Sequence, residues 1–183
     1  MDTQTALLTA RLIVEDLSEK VENPEPNRLD FYLKEEKNLI VAAAGLRVKR
    51  LGYLAAITGL DPGDEQEVLE VLYHFCTGYV TITLRVSIPK VWPRIQSLTA
   101  IIPSAEPYER ELREMYGISV IGLRNPDHLY LPDDWPEDVY PLRKDFNTQI
   151  LDKQGSGTFP YVSLRCLRAV PTFSGLLPLL ATL

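Results

Sequence analysis

The sequence predicts an α+β fold: a single two-layer domain in which a mixed or antiparallel sheet is packed by helices, followed by a proline-rich extended segment and a C-terminal tail. Three observations lead there. Val80, Ile82, Leu84, Val86 and Ile88 alternate strictly with Thr81, Thr83, Arg85 and Ser87, the period of a half-buried strand. Ala6, Leu7, Ala10, Ile13, Val14 and Leu17 recur about every 3.6 residues, the period of an amphipathic helix. The stretches follow in the order helix, two strands, helix, two or more strands, helix, which suits a two-layer domain better than a doubly wound sheet.

Taken in order, the first helix runs to about Val21, where Asn23-Pro24-Glu25-Pro26 ends it. Leu29, Phe31 and Leu33 alternate with polar neighbours, and after the turn Glu35-Glu36-Lys37-Asn38 the apolar run Leu39 to Ala44 reads as the second strand of a hairpin. Leu46 to Ile57 suits a short helix, closed by Gly59 and Asp61-Pro62-Gly63. Val68 to Phe75 and Val80 to Ile88 are strands joined at Thr77-Gly78, and the polar face of the second is solvated or meets a partner. Val91 to Leu98 reads as another short helix. Ser104 is placed to cap a helix from Ala105 to Tyr116, with Pro107 in its first turn and Gly117 at its stop. Residues 125–150 hold Pro126, Pro132, Pro136 and Pro141, which forbid a long helix or a central strand. Leu129, Tyr130, Leu131, Trp135, Val139, Tyr140, Leu142 and Phe146 make this stretch too apolar for a free linker, so it lies on a surface, the chain's own or a partner's. Three regions result: a domain over 1–124, an extended segment over 125–150 and a tail over 151–183, after the polar break that begins at Asp152.

Composition excludes several functions. The 183 residues carry a net charge of −6, and the longest basic cluster is Arg47-Val48-Lys49-Arg50, so nucleic acid is not an expected partner. The two cysteines, Cys76 and Cys166, and the two histidines, His74 and His128, show no CxxC or HExxH spacing, so neither structural zinc nor a chain-borne iron–sulfur cluster is expected. The start, Met1-Asp2-Thr3-Gln4-Thr5-Ala6, has no basic and apolar leader, which reads as a cytoplasmic protein. The apolar stretch Phe173 to Leu183 is shorter than the roughly 20 residues of a membrane span and is interrupted by Pro178.

The candidate site is the charged helix. At about 100° per residue, Tyr108, Leu112, Met115 and Tyr116 form one stripe, Arg110 and Arg113 lie opposite, and Glu109 and Glu111 flank the stripe. Three readings follow: a solvated face of i,i+4 ion pairs, carboxylate acceptors for a partner's Arg or backbone N–H groups, or an acid–base pair. The last lacks a His, Cys or nucleophilic Ser nearby in sequence to complete a site.

Glu109-Arg110-Glu111-Leu112-Arg113-Glu114-Met115-Tyr116-Gly117-Ile118, Leu131-Pro132-Asp133-Asp134-Trp135 and Pro141-Leu142-Arg143-Lys144-Asp145-Phe146, in that order, resemble the thirty-kilodalton subunit (the C-subunit) of complex I, the NADH:quinone oxidoreductase. The family includes the equivalent subunits of energy-converting membrane hydrogenases and related complexes. The match is strong over about 105–146. Two departures stand out: Glu114 occupies a position where the family commonly has Asp, and Gly122-Leu123-Arg124-Asn125-Pro126-Asp127-His128-Leu129 stands where the family has a Gly-His-Pro-Asp element followed by arginines. The resemblance implies an α+β subunit without a cofactor of its own, peripheral on the cytoplasmic side of the cell membrane and held there through the complex. Its partners would be the large catalytic subunit, of forty-nine-kilodalton or hydrogenase-large-subunit type, and the small iron–sulfur subunit, so that the clusters sit in partner chains. Carried over by position, Glu109, Arg110, Glu111, Asp133, Asp134, Trp135, Arg143, Lys144 and Asp145 would dock those partners. The alternatives are the hydrogenase-type branch, a free-standing enzyme using Glu109 and Glu111, and an interaction module unrelated to redox chemistry.

Overall fold

The computed structural model describes residues 2–63 and 65–147; the tail expected over 151–183 lies outside them. Asp2 starts helix α1 (Thr3–Val14) by accepting the Thr5 N–H at 3.0 Å, a local cap that satisfies a donor of the first turn. The helix ends at Val14 rather than near Val21. The Ser18 hydroxyl turns back to the Val14 carbonyl at 2.9 Å, and from Ser18 the backbone enters strand β1 (Ser18–Glu25), antiparallel to β2 (Arg28–Leu33). Because β1 is a polar edge strand it shows no alternation, and Pro24 is tolerated there since the outer edge needs no donor.

The expected hairpin strand over Leu39 to Ala44 is instead part of helix α2 (Asn38–Val48). Leu39, Ala42, Ala43 and Leu46 stand at i, i+3, i+4 and i+7 and are all fully buried. That stripe outweighs the strand preference of the β-branched Ile40-Val41 pair. Gly45 brings α2 against α1, for a Cβ there would collide with the Ile13 side chain. The helix expected over Leu46 to Ile57 is likewise corrected: α2 stops at Val48 and strand β3 (Tyr53–Leu60) follows.

Strands β4 (Val68–Thr77) and β5 (Val80–Pro89) form the expected antiparallel hairpin, turning at Gly78 with φ 57°. The sheet order is β1-β2-β5-β4-β3, with β2 and β5 parallel and the other neighbours antiparallel. This is the mixed sheet of an α+β domain. Phe31, Leu69, Val71, Tyr73, Phe75, Ile82 and Leu84 face the helices and are buried with Ala6, Ala10, Val14 and Leu39. The polar strand positions are sewn together: Arg28 grips the buried Asp30 with two bonds of 2.8 and 2.9 Å, and Arg85 reaches both the Tyr32 hydroxyl and Glu70. His74 lies between Thr58 and Thr83, 3.3 and 3.2 Å from their hydroxyls.

The helix expected over Val91 to Leu98 is not formed. Arg94–Gln96 is a short strand, β6, parallel to β7 (Ser119–Ile121), because Pro93 removes a donor and Ile95 is drawn into the core. Between them lies helix α3 (Glu106–Tyr116). Its stop at Gly117, φ 69°, is as expected, whereas Ser104 sits in a 3-10 turn (Pro103–Ala105) and caps nothing.

Candidate functional site

Helix α3 is laid along the edge strand β3 by two phenols. Tyr108 donates to the Ala55 carbonyl and Tyr116 to the Gly59 carbonyl, both at 2.9 Å. The spacings fit, since the eight helical residues from Tyr108 to Tyr116 and the four strand residues from Ala55 to Gly59 each span about 12–13 Å. Gly59 permits the approach; a Cβ there would lie 2.5 Å from the Tyr116 ring. The arrangement covers a sheet edge that would otherwise offer free carbonyls.

Glu109 lies inside this contact and is fully buried. Its Oε1 accepts the Leu98 N–H and its Oε2 the Ser97 hydroxyl, each at 2.6 Å. Burial pushes its carboxyl above the usual glutamate range in spite of these two bonds. On the helix wheel Glu109, Leu112 and Tyr116 fall at i, i+3 and i+7, which is the signal for an inward rather than a flanking position.

The remaining charges of α3 do not pair with one another at i,i+4. Arg110 donates to the carbonyls of Asp127, at 3.0 Å, and His128, at 2.7 Å. Arg113 donates to the Pro126 carbonyl. Glu114, buried, accepts the successive backbone N–H groups of Leu129 at 2.9 Å, Tyr130 at 3.0 Å and Leu131 at 3.3 Å, with His128 Nδ1 3.4 Å away. Two guanidiniums thus hold the carbonyls of 126–128 and one carboxylate holds the amides of 129–131. The extended segment is clasped onto the chain's own helix. Glu114 carries much of this, and nothing in the sequence marks it for that role; a carboxylate on the same helix as two arginines gives no hint that its partners are backbone amides.

Further along, the Trp135 indole N–H donates to the Val139 carbonyl at 2.8 Å. Arg143 donates to the Tyr116 carbonyl at 2.7 Å and stacks over the Tyr140 ring at 4.7 Å. Lys144 is held by Asp61, whose Oδ2 accepts its backbone N–H at 3.0 Å, while Oδ1 accepts the Gly63 N–H at 2.9 Å. Asp133, Asp134 and Asp145 are exposed. Glu111 is half-buried and makes no hydrogen bond or ion pair among the described residues; burial and the neighbouring Glu114 raise its pKa. So Arg110, Trp135, Arg143 and Lys144 bond within the chain, Glu109 is internal, and Glu111 with the three aspartates faces outward or stays unpaired. Among the described residues no group of His, Cys, Asp and Glu is arranged to hold a metal ion.

A sequence model of the family described as respiratory-chain NADH dehydrogenase, 30 kDa subunit, matches residues 31–150, a span that includes most of the sheet, α3 and its clasp. The chain belongs to this family. Proteins to which it is similar include the F(420)H(2) dehydrogenase C-subunit of Methanosarcina mazei, 31% identical over 76% of this chain and 92% of that protein. Formate hydrogenlyase subunit 5 of Escherichia coli is 38% identical over 55% of this chain but only 18% of its own length. The NADH-quinone oxidoreductase C-subunit of Chloroherpeton thalassium is 36% identical over 65% of this chain and 45% of its own length. The chain therefore spans less than half of these last two relatives. The same fold is seen in a chain of the archaeal membrane-bound sulfane sulfur reductase, TM-score 0.64 at 21% identity, covering 83% of this chain and 90% of that one. A trypsin-resistant fragment of Nqo5 matches with TM-score 0.53 at 25% identity, covering 68% of this chain and 99% of that one. No described helix is long and apolar enough to cross a membrane.

Proposed function

We propose that this chain is a cofactor-free assembly subunit of a membrane-bound electron-transfer complex of the NADH:quinone oxidoreductase type. It docks a large catalytic subunit and a small iron–sulfur subunit on the cytoplasmic side of the membrane, and electrons pass through clusters held by those partners. Glu111 carries the proposal. A half-buried carboxylate with a raised pKa and no partner among the described residues is available as an acceptor, and a partner's arginine or backbone amides would bind it. It lies on the helix that also clasps the extended segment, so docking there engages both. The length of formate hydrogenlyase subunit 5 supports the reading, since in that protein the similar region is under a fifth of a larger polypeptide.

The names of that relative and of hydrogenase-4 component G, 44% identical over 37% of this chain, favour a hydrogenase-type complex as the second reading. An acid–base role for Glu109 and Glu111 finds less support, because both oxygens of Glu109 are bonded to Ser97 and Leu98 inside the fold.

The test is purification of the tagged full-length chain from native membranes, with mass spectrometry of what accompanies it. The expected result is a large subunit and an iron–sulfur subunit, retained less by Glu111→Ala than by wild type, with unchanged melting of the free variant. An NADH-binding flavoprotein or a nickel-bearing large subunit in the eluate separates the two readings. Turnover by the chain alone, abolished in Glu111→Ala, overturns both.

A further inference from the structure

Residues 38–60 and 71–105 contain no Asp or Glu, although the chain holds 25 elsewhere. The fold joins these two acid-free stretches at one end of the sheet, where α2 stops, β3 starts and β4 turns into β5. Tyr53 pairs with Cys76 across β3 and β4, and Tyr79 lies in the turn just after it. Arg47, Lys49 and Arg50 precede Tyr53 at the end of α2. All three are exposed, and their side chains make no hydrogen bond or ion pair among the described residues. By contrast Lys20, Arg28, Lys37 and Arg85 each pair with a carboxylate. On the far side of the turn the strand register places an acid, Glu25, only beyond β2.

Arg50 is also an unusual choice for its backbone. The Leu51 N–H donates to the Leu46 carbonyl at 2.9 Å and the Arg50 N–H to the Arg47 carbonyl at 3.0 Å, the double closure that ends many helices with one left-handed residue. That residue is Arg50, with φ 53°. Glycine takes this conformation freely, whereas a Cβ opposes it. The negative end of α2 favours a nearby cation, but Arg47 in the last turn already supplies one. Nothing in the fold calls for an arginine at residue 50.

We propose that Arg47, Lys49 and Arg50, flanked by Tyr53 and Tyr79, form a docking surface for aspartate and glutamate side chains of a neighbouring subunit. The proposal rests on the docking reading above and adds to it a contact outside α3 and the extended segment. Unpaired cations with no acid beside them give a local positive potential, which selects an acidic counterpart. Arginine and tyrosine are among the side chains that carry most binding energy between proteins, and Tyr53 and Tyr79 stand 69% and 88% exposed. Residues 148–183 hold Lys153, Arg165 and Arg168 against one acid, Asp152, so charge does not draw them to the patch. A two-fold dimer on this surface would set the patch against itself. An anionic lipid surface would attract the three cations, but the chain's net charge of −6 opposes it.

A carbodiimide joins an amine directly to a carboxylate that touches it. Applied to the purified complex and read by mass spectrometry, it is expected to link Lys49 to an Asp or Glu of another subunit. The double variant Arg47→Glu with Lys49→Glu should bind the rest of the complex at least about tenfold more weakly, with melting of the free chain unchanged. Arg50→Gly should also bind more weakly, yet its free chain should melt higher than wild type, opposite signs that a purely structural arginine would not produce. A Lys49 link to a second copy, told apart by mixing in isotope-labelled chain, or to Asp152, overturns the neighbouring subunit as the occupant. So does binding of the free chain to phosphatidylglycerol-containing vesicles that the double variant loses. A lower melting temperature for Arg50→Gly assigns that arginine to the fold and removes it from the patch. Wild-type binding by the double variant, or no link from Lys49 in the intact complex, overturns the patch while leaving the docking reading in place. A wild-type chain that associates with no other subunit overturns the docking reading itself, and the patch with it.

Discussion

Asp61 and Lys144 lie 83 residues apart, yet the carboxylate of the first accepts the backbone N–H of the second at 3.0 Å. This bond closes the extended segment onto the loop after β3. Burial opposes ionisation of Asp61, but the Lys144 and Gly63 N–H groups and the Lys90 ammonium prevail and hold its pKa below the ordinary 3.8. A depressed pKa in the folded state means that the stabilisation is present above pH 3.8 and fades as pH falls through the folded value. Asp61→Ala is expected to lower stability at neutral pH by about 1–3 kcal/mol, the cost of stranding bonded donors. Its deficit relative to wild type should shrink in acid; a deficit that stays constant down the acid range would count against the assignment.

Glu109 has the opposite linkage. Its folded pKa is raised above the ordinary 4.5, so the fold favours the protonated form. Stability from this residue is greatest below pH 4.5 and declines as pH rises through the shifted value. Glu109→Gln keeps one acceptor for the Leu98 N–H and one donor for Ser97, and removes that decline. The melting temperature of Glu109→Gln should therefore gain on wild type as pH rises from about 4 to about 7. Glu109→Ala strands the buried amide and should cost about 1–3 kcal/mol in acid, a deficit that narrows as pH rises because the wild type itself loses stability there.

How far the sequence reaches is clear from these elements. The β4–β5 hairpin and α3 are legible because their signals are local: strict alternation in Val80 to Ile88, a proline in the first helical turn, a glycine at the stop. The α2 helix is not, although its stripe Leu39, Ala42, Ala43, Leu46 is present, since a short apolar run containing Ile and Val satisfies a strand equally well until something packs against it. Strand β1 carries almost no pattern, being a polar edge. On α3 the residue types mark a charged helix, but which charge turns inward, which clasps the segment and which stays free depends on contacts with residues 97–98 and 126–131. Helical periodicity places a side chain on a face; it does not name the acceptor waiting there.

Gly59 and Tyr116 set how closely α3 approaches β3. A methyl group at residue 59 would enter the Tyr116 ring, 2.5 Å away, and the ring cannot retreat without breaking its bond to the Gly59 carbonyl. Gly59→Ala should cost about 1–3 kcal/mol as overpacking does. Tyr116→Phe should cost only about 1 kcal/mol, the value of one hydrogen bond. In the double variant Tyr116→Leu with Gly59→Ala, the losses should be less than additive because the clash is relieved. Chemical denaturation of wild type, the two single variants of that pair and the double variant supplies the cycle, and strict additivity would disprove the contact.

Glu114 is the residue on which the clasp depends most. One carboxylate accepts three consecutive amides, those of Leu129, Tyr130 and Leu131, so its removal strands several donors at once while Arg110 and Arg113 still hold the carbonyls before them. Glu114→Ala should therefore open the segment locally rather than unfold the domain. Hydrogen exchange read residue by residue is the direct measurement: the amides of 129–131 should exchange at least about tenfold faster in the variant, which corresponds to about 1.4 kcal/mol of lost local protection. Amides of β4 and β5 should keep their rates, because they are bonded within the sheet and not to the segment. Glu114→Gln, which retains one carbonyl oxygen, should fall between. If 129–131 exchange as in wild type, the three bonds are not what holds the segment; if β4 and β5 exchange faster as well, the carboxylate supports the whole domain, and the segment is not a separately opening clasp.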